Sequence, residues 1–146
     1  MAVYCPLVAY RVLDAGDAFW RPSKTMGVMN TDLAGQLEVA SLGARLWRVA
    51  PGQANTRHRH RDESELYVLL EGEGRIRIGD DVVTLAPLSA VAVDPDTVRQ
   101  VFNDTAADQL WLIVGAPPQG GLTADDAAWM YPDGPRALPP ELPPAP

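Results

Sequence analysis

His58 and His60 are the only histidines in a chain of 146 residues, and Glu65 follows five positions later. Two imidazoles and a carboxylate are the donor set of a divalent transition-metal site. A two-histidine, one-carboxylate centre with open positions suits Fe(II), and it also suits Mn, Ni or Zn. In an extended chain, successive side chains point to opposite faces. His58 and His60 then share one face, while Arg57, Arg59 and Arg61 occupy the other. Residues 62–64 form a polar connection, and Glu65 opens the apolar run ELYVLLE, a neighbouring strand that can face the same interior. Tyr67 shares Glu65's face by parity, where it serves either a substrate or packing. The bland alternatives are two structural histidines and a solvated strand-start carboxylate. Glu63 is a second carboxylate in reach, placed in the loop.

The flanking sequence supplies the strands this geometry needs. Short β-like runs are predicted at 44–50, 56–61, 65–71, 75–78, 82–85, 89–93, 98–102 and 110–114. Pro51-Gly52, Gly72-Glu73-Gly74, Gly79-Asp80-Asp81 and Asp94-Pro95-Asp96 separate them. At least seven short strands with closely spaced turns predict an all-β sandwich or barrel. A short helix is predicted after the strands, capped by Thr123 with Asp126 three residues on. Trp129 and Tyr131 then anchor it to the barrel. Trp47 and Trp111 read as core or interface aromatics. The last nine residues, LPPELPPAP, are expected to be extended polyproline II or disordered and solvated, with a ligand for a proline-recognition domain as the alternative.

The mix of 47% hydrophobic and 21% charged residues is that of a soluble globular protein, and the length is that of one domain. The net charge of −7 disfavours nucleic acid and anionic membrane as partners. The three-arginine row is expected to be a salt-bridged face, served by Asp62, Glu63, Asp80 and Asp81 nearby in sequence. No apolar run reaches the roughly 18 residues of a membrane span. Residues 1–11 lack a basic leader region and contain Pro6, and they read as an edge strand. A single cysteine, Cys5, fits a reducing, cytoplasmic setting. A serine–histidine–aspartate triad has no support, since both histidines are already placed. Gly72-Glu73-Gly74 is no phosphate loop, because no helix follows it.

Gly52, His58, His60, Glu65 and Gly72 stand in the spacing Gly, five residues, His-x-His, four residues, Glu, six residues, Gly. This resembles the first motif of the cupins. The resemblance covers about residues 43–116, and residues 32–46 resemble the lead-in of small single-domain cupins. It implies a double-stranded β-helix, or jelly-roll barrel, with a metal held by His58, His60 and Glu65. It divides the chain into an N-terminal arm with lead-in strands (1–42), the barrel (43–116) and a C-terminal helix with its proline-rich tail (117–146). Small cupins commonly dimerise by strand exchange or sheet packing, and residues 3–12 have the composition of such a strand, so a homodimer is expected.

The second cupin motif runs Pro, x, Gly, two residues, His, three residues, Asn, and its histidine is the fourth metal ligand. Aligned on Asn103, this chain has Asp94, Asp96 and Arg99 at the Pro, Gly and His positions. Arginine stays protonated and only donates, so Arg99 cannot ligate a cation. Two arrangements follow. Arg99 tilts away and grips an anionic substrate while the other three residues hold the ion, or it pairs with Glu65 and fills the site. The expected function is accordingly a metal-dependent dioxygenase or an isomerase- or lyase-type enzyme acting on a small, anionic organic molecule. The alternative is a non-catalytic small-molecule binder or sensor, metal-free with Arg99 in the fourth position.

Overall fold

The computed structural model describes residues 2–5, 9–118 and 122–144, with only the backbone of residues 4 and 5. Its eleven strands are β1 (Ala2–Cys5), β2 (Tyr10–Leu13), β3 (Arg21–Pro22), β4 (Met29–Asp32), β5 (Gly43–Val49), β6 (Glu65–Glu71), β7 (Gly74–Ile78), β8 (Asp81–Leu85), β9 (Ala90–Val93), β10 (Arg99–Phe102) and β11 (Gln109–Gly115). A helical turn, α1 (Leu33–Gln36), and a C-terminal helix, α2 (Ala124–Met130), complete it.

Two sheets face each other. The larger runs β3-β4-β5-β11-β6-β9 and the smaller β10-β7-β8, antiparallel at every pairing. This is the expected jelly-roll barrel. Val49, Leu69, Ile76, Val93, Val101 and Trp111 close the apolar core between the sheets. Burying such side chains is the main favourable term in folding. The indole N–H of Trp111 donates to Gln109 Oε1 at 2.9 Å, so this large ring is buried without an orphaned donor.

Residues 56–61 do not form the expected strand. Ala54 and His58 make single bridges to Phe102 and Arg99, which lays an extended segment along β10. The alternation of side chains survives. The two motif glycines that bound the segment explain its path: Gly52 and Gly72 have φ of +83° and +85°, a region where Cβ-bearing residues are strained. Asp96, at the family's second-motif glycine position, holds φ +58°. Aspartate tolerates this better than most residues, so the turn keeps its shape despite the change of residue.

Both ends depart from expectation. β1 and β2 pair with each other as a separate hairpin, with Val3 opposite Val12, and do not form an edge strand of the barrel. The surroundings of Pro6 and of the Cys5 side chain lie outside the described residues. The tail is docked rather than wholly solvated as far as Leu142, beyond which Pro143 and Pro144 are exposed. Leu142 is 5% exposed and packs on Ala54, Phe102 and Met26, and Glu141 pairs with Arg77. Gln100 Nε2 donates to the carbonyls of Ala137 and Asn55 at 2.8 Å each. Proline-rich chain can dock this way because its own backbone needs few donors met. Residues 145 and 146 lie outside the described part.

α2 starts as the sequence predicts. Thr123 caps it and forms a reciprocal capping box with Asp126. Trp129 lies between the guanidinium groups of Arg59 and Arg61, 4.2 and 4.1 Å from the ring centre. The arginine row is therefore a docking face for this helix. Its acidic partners are Asp133 for Arg57, Asp96 for Arg59 and Asp126 for Arg61, not the sequence neighbours expected. No helix among the described residues is long and apolar enough to cross a membrane.

Candidate metal centre

His58 and Arg99 exchange both backbone hydrogen bonds, His58 N–H to Arg99 O at 3.0 Å and Arg99 N–H to His58 O at 2.8 Å. Residues directly opposite in an antiparallel pair send their side chains to the same face. That pairing turns the imidazole inward, and His60 follows two residues on. Glu65 enters from the start of β6. The three ligand atoms all lie within 4.8 Å of one another. His58 Nε2 is 3.3 Å and His60 Nε2 3.1 Å from Glu65 Oε1, and the rings stand edge to face at 4.9 Å.

The far nitrogen of each ring is already committed. His58 Nδ1 lies 2.9 Å from the carbonyl oxygen of Thr56, and His60 Nδ1 lies 3.2 Å from Glu63 Oε2. Both partners only accept, so in each neutral ring the proton sits on Nδ1 and Nε2 keeps its lone pair. Two lone pairs then face a carboxylate oxygen. A cation at that point, either a metal ion or a second proton on each ring, makes the convergence favourable. A backed imidazole of this kind is how proteins orient metal-binding histidines. The residues present therefore fit a divalent metal. Glu63, weighed from sequence as a spare ligand, instead holds His60.

Glu65 Oε1 is the hub. Tyr67 donates its hydroxyl to it at 2.8 Å, and Arg99 Nε lies 3.8 Å away. Burial alone would raise the Glu65 pKa. The hydrogen bonds and positive charge of His58 and His60 outweigh it and hold the carboxyl well below the usual range. Burial, and then the neighbouring Glu65 charge, push the Tyr67 hydroxyl well above its ordinary value, so it remains a donor. Tyr67 also packs edge-on against Trp111, so it supports the site as well as lining it.

Arg99 lies behind the centre. Its side chain is 0% exposed, it does not line the cavity, and Nη2 donates to the carbonyls of Val93 and Asp94 at 3.3 and 3.2 Å. The expectation that it reaches into the cavity to grip a substrate does not match this placement. It pairs with Glu65, as in the second arrangement, while leaving both imidazoles converged. Asn103, the retained residue of the second motif, organises its own turn. Its Nδ2 donates to Val49 O and Ala107 O, and its Oδ1 accepts from Thr105.

A cavity of about 380 Å³ opens over His58, His60, Glu65 and Tyr67. Its size falls in the range of small-molecule sites. Arg45 is the cation that faces it, a residue the sequence reading passed over. Arg45 is clamped by Asp32 Oδ2 at 2.9 Å and Asn30 Oδ1 at 3.0 Å. The alternation Gly43, Arg45, Trp47 along β5 was the available signal. Arg45 and Tyr67 both pair with Ile113 of β11, from opposite sides, so the three share one row of the cavity floor. In the neighbouring row Gly115 pairs with Gly43, and a Cβ on Gly115 would come within 3.1 Å of Glu65 Cγ. The missing side chains leave the carboxylate room. Met130 and Tyr131, at the end of α2, complete the rim together with Trp47.

The comparisons agree with this geometry. The family model described as "Cupin domain" matches residues 45–115. Among solved structures, a cupin-superfamily sugar phosphate isomerase from Silicibacter pomeroyi DSS-3 aligns with a TM-score of 0.67 at 23% identity, covering 73% of this chain and 76% of that one. A predicted oxalate decarboxylase from Thermotoga maritima aligns with a TM-score of 0.64 at 19% identity, covering 73% and 99%. KdgF from a Halomonas species aligns with a TM-score of 0.61 at 17% identity, covering 73% and 93%. At these identities the likeness is one of fold. No curated protein matches the chain in sequence. A jelly-roll barrel, the complete first motif with its glycines in left-handed turns, and the family match identify residues 45–115 as a cupin-type domain.

Proposed function

We propose that the protein binds one divalent transition metal (Fe, Mn, Ni or Zn) through His58, His60 and Glu65 and acts on a small, anionic organic molecule in the cavity above it. The observation that carries this reading is the convergence of two Nε2 atoms and one carboxylate oxygen at the floor of a cavity of about 380 Å³. A metal bound there supplies Lewis acidity, or O₂ activation if it is iron. The chain's own residues do the rest. Thr56 and Glu63 fix the two imidazoles, and Tyr67 and Arg99 hold Glu65. Arg45 takes the role of anion-binding residue that sequence alone assigned to Arg99, by a charge-assisted hydrogen bond. Its two clamps set the guanidinium in one orientation.

Isomerase- or lyase-type chemistry and dioxygenation are both open to this ligand set. The sugar phosphate isomerase and the predicted oxalate decarboxylase among the structural neighbours lend support to the former. Elemental analysis of protein purified without chelator tests the metal. About one equivalent is expected, lost in the double variant His58→Ala, His60→Ala. Less than about 0.1 equivalent, with none taken up on soaking, overturns the reading. Replacement of the fourth ligand by Arg99 favours a second reading, a sensor or binding protein without turnover. Ligand binding that survives loss of both imidazoles would establish it.

We further read the protein as a cytoplasmic homodimer that binds neither nucleic acid nor membrane. The isolated hairpin β1–β2 supports the dimer: Val3 and Val12 are 56% and 45% exposed, and a two-stranded sheet is marginal by itself. Light scattering at tens of micromolar should give twice the chain mass, and a monomer would refute it.

A further inference from the structure

We infer that Arg99 makes metal binding conditional on a carboxylate: it weakens the hold of His58, His60 and Glu65 on a divalent cation alone, and a carboxylate bound with the cation restores it. This rests on the metal reading above and adds to it the class of co-ligand and the sign of the coupling.

The argument begins with charge. Arg99 is 0% exposed and permanently protonated, and Glu65 is the carboxylate with which it forms an ion pair. Glu65 is also the only anionic member of the three converging ligands. Among the three ligands one negative charge must therefore serve both a buried guanidinium and a dication, with Glu63 a further carboxylate behind His60. The imidazoles, neutral as ligands, add none. Fixed like charges at short range repel strongly, and Arg99 itself is shielded from water. A histidine in place of Arg99 would add a lone pair and no charge. Arginine adds a charge and no lone pair.

Hydrogen bonding points the same way. Nε and Nη1 of Arg99 are buried without a hydrogen-bond partner among the described residues, since Nε lies 3.8 Å from Glu65 Oε1. Buried donors on a charged group are rarely left unmet in folded proteins. Nη2 is tied to two backbone carbonyls, so the group is anchored and does not swing out. Glu65 Oε1 is already shared among His58, His60 and Tyr67 and cannot supply more acceptors. A carboxylate joining the cation brings the missing negative charge, so that Glu65 no longer serves both the guanidinium and the cation alone. By linkage, each ligand must then raise the other's affinity by the same factor.

The test is calorimetric titration of the whole protein with Mn²⁺ in chloride buffer, repeated with acetate and with acetamide, its neutral counterpart. In the native protein, 100 mM acetate should raise Mn²⁺ affinity at least about threefold, and acetamide should not. Arg99→Gln should bind Mn²⁺ at least about tenfold more tightly than native in chloride, with the acetate effect gone. Arg99→Met, which removes the charge with a different shape, should behave alike, and thermal melts establish that each variant folds. Native affinity that does not respond to acetate overturns the inference without any variant. So does an equal effect of acetamide, or a folded Arg99→Gln that binds no more tightly than native. In each of those cases the metal reading stands, because native protein still takes up Mn²⁺. If native protein takes up none of Mn²⁺, Fe²⁺, Ni²⁺ or Zn²⁺ even with acetate, both fall.

Discussion

Glu63 and His60 lie 3.2 Å apart, carboxylate oxygen against Nδ1, on the side of the ring away from the candidate metal position. The contact is short in sequence, yet it decides which ring nitrogen carries the proton. Glu63→Gln keeps an acceptor but loses the charge that raises the ring's basicity. Metal affinity should fall by about 10- to 100-fold, the usual effect of removing such a backing group. Metal titration of the variant against native protein checks this, with an unchanged melting temperature showing that the fold is intact.

Gly115→Ala tests the carboxylate's room. The added methyl would stand 3.1 Å from Glu65 Cγ and 3.6 Å from Oε2, so Glu65 must shift by a few tenths of an ångström. The expected outcome is loss of metal uptake with little loss of stability. Gly43→Ala is different, because its methyl would meet the backbone oxygen of Ala116 at 2.6 Å. That variant should lose stability, read as a lower denaturation midpoint. Comparable stability losses in both would show that Gly115 is needed for packing instead.

Leu142→Ala examines the docked tail. Truncating a buried leucine costs roughly 2–5 kcal/mol, and this peripheral site should lie at the low end, near 2 kcal/mol. A fall in Tm of roughly 4–8 °C should result. Unchanged stability would mean that the tail is solvated, as its composition alone suggested.

The capping box of α2 gives a pH prediction. Hydrogen bonds from the side chain and then the backbone of Thr123 hold the Asp126 carboxyl below its ordinary value of 3.8. A depressed folded-state pKa means that the stabilisation is present above the unfolded value and lost as pH falls through the folded one. The Ala127 amide, whose N–H bonds Thr123 O at 3.0 Å, should lose protection against exchange, relative to its intrinsic rate, below about pH 3.8. Asp126→Asn should show faster exchange already at neutral pH and a weaker pH response. Trp129→Ala should also free α2, since each arginine–indole contact contributes about 0.5–1 kcal/mol.

The five motif positions from Gly52 to Gly72 were legible in the sequence because spacing alone carries them. Alternation puts His58 and His60 on one face whatever encloses them, and strand periodicity with punctuating turns gave the barrel. Thr123 and Asp126 were equally plain, because a helix cap is decided within four residues. Other features needed the folded chain. Arg45 faces the cavity only because β4 and β11 flank β5, and Asp32 and Asn30 then fix its direction. Arg99 aligned with a ligand position, but only its backbone pairing with His58 and its ties to Val93 and Asp94 show that it sits behind Glu65. The arginine row found Trp129 and three distant aspartates, and Leu142 of the tail found Ala54 and Phe102. Local pattern determines which way a side chain points from its own strand. What it meets there is set by long-range pairing, in which residues far apart in sequence become neighbours.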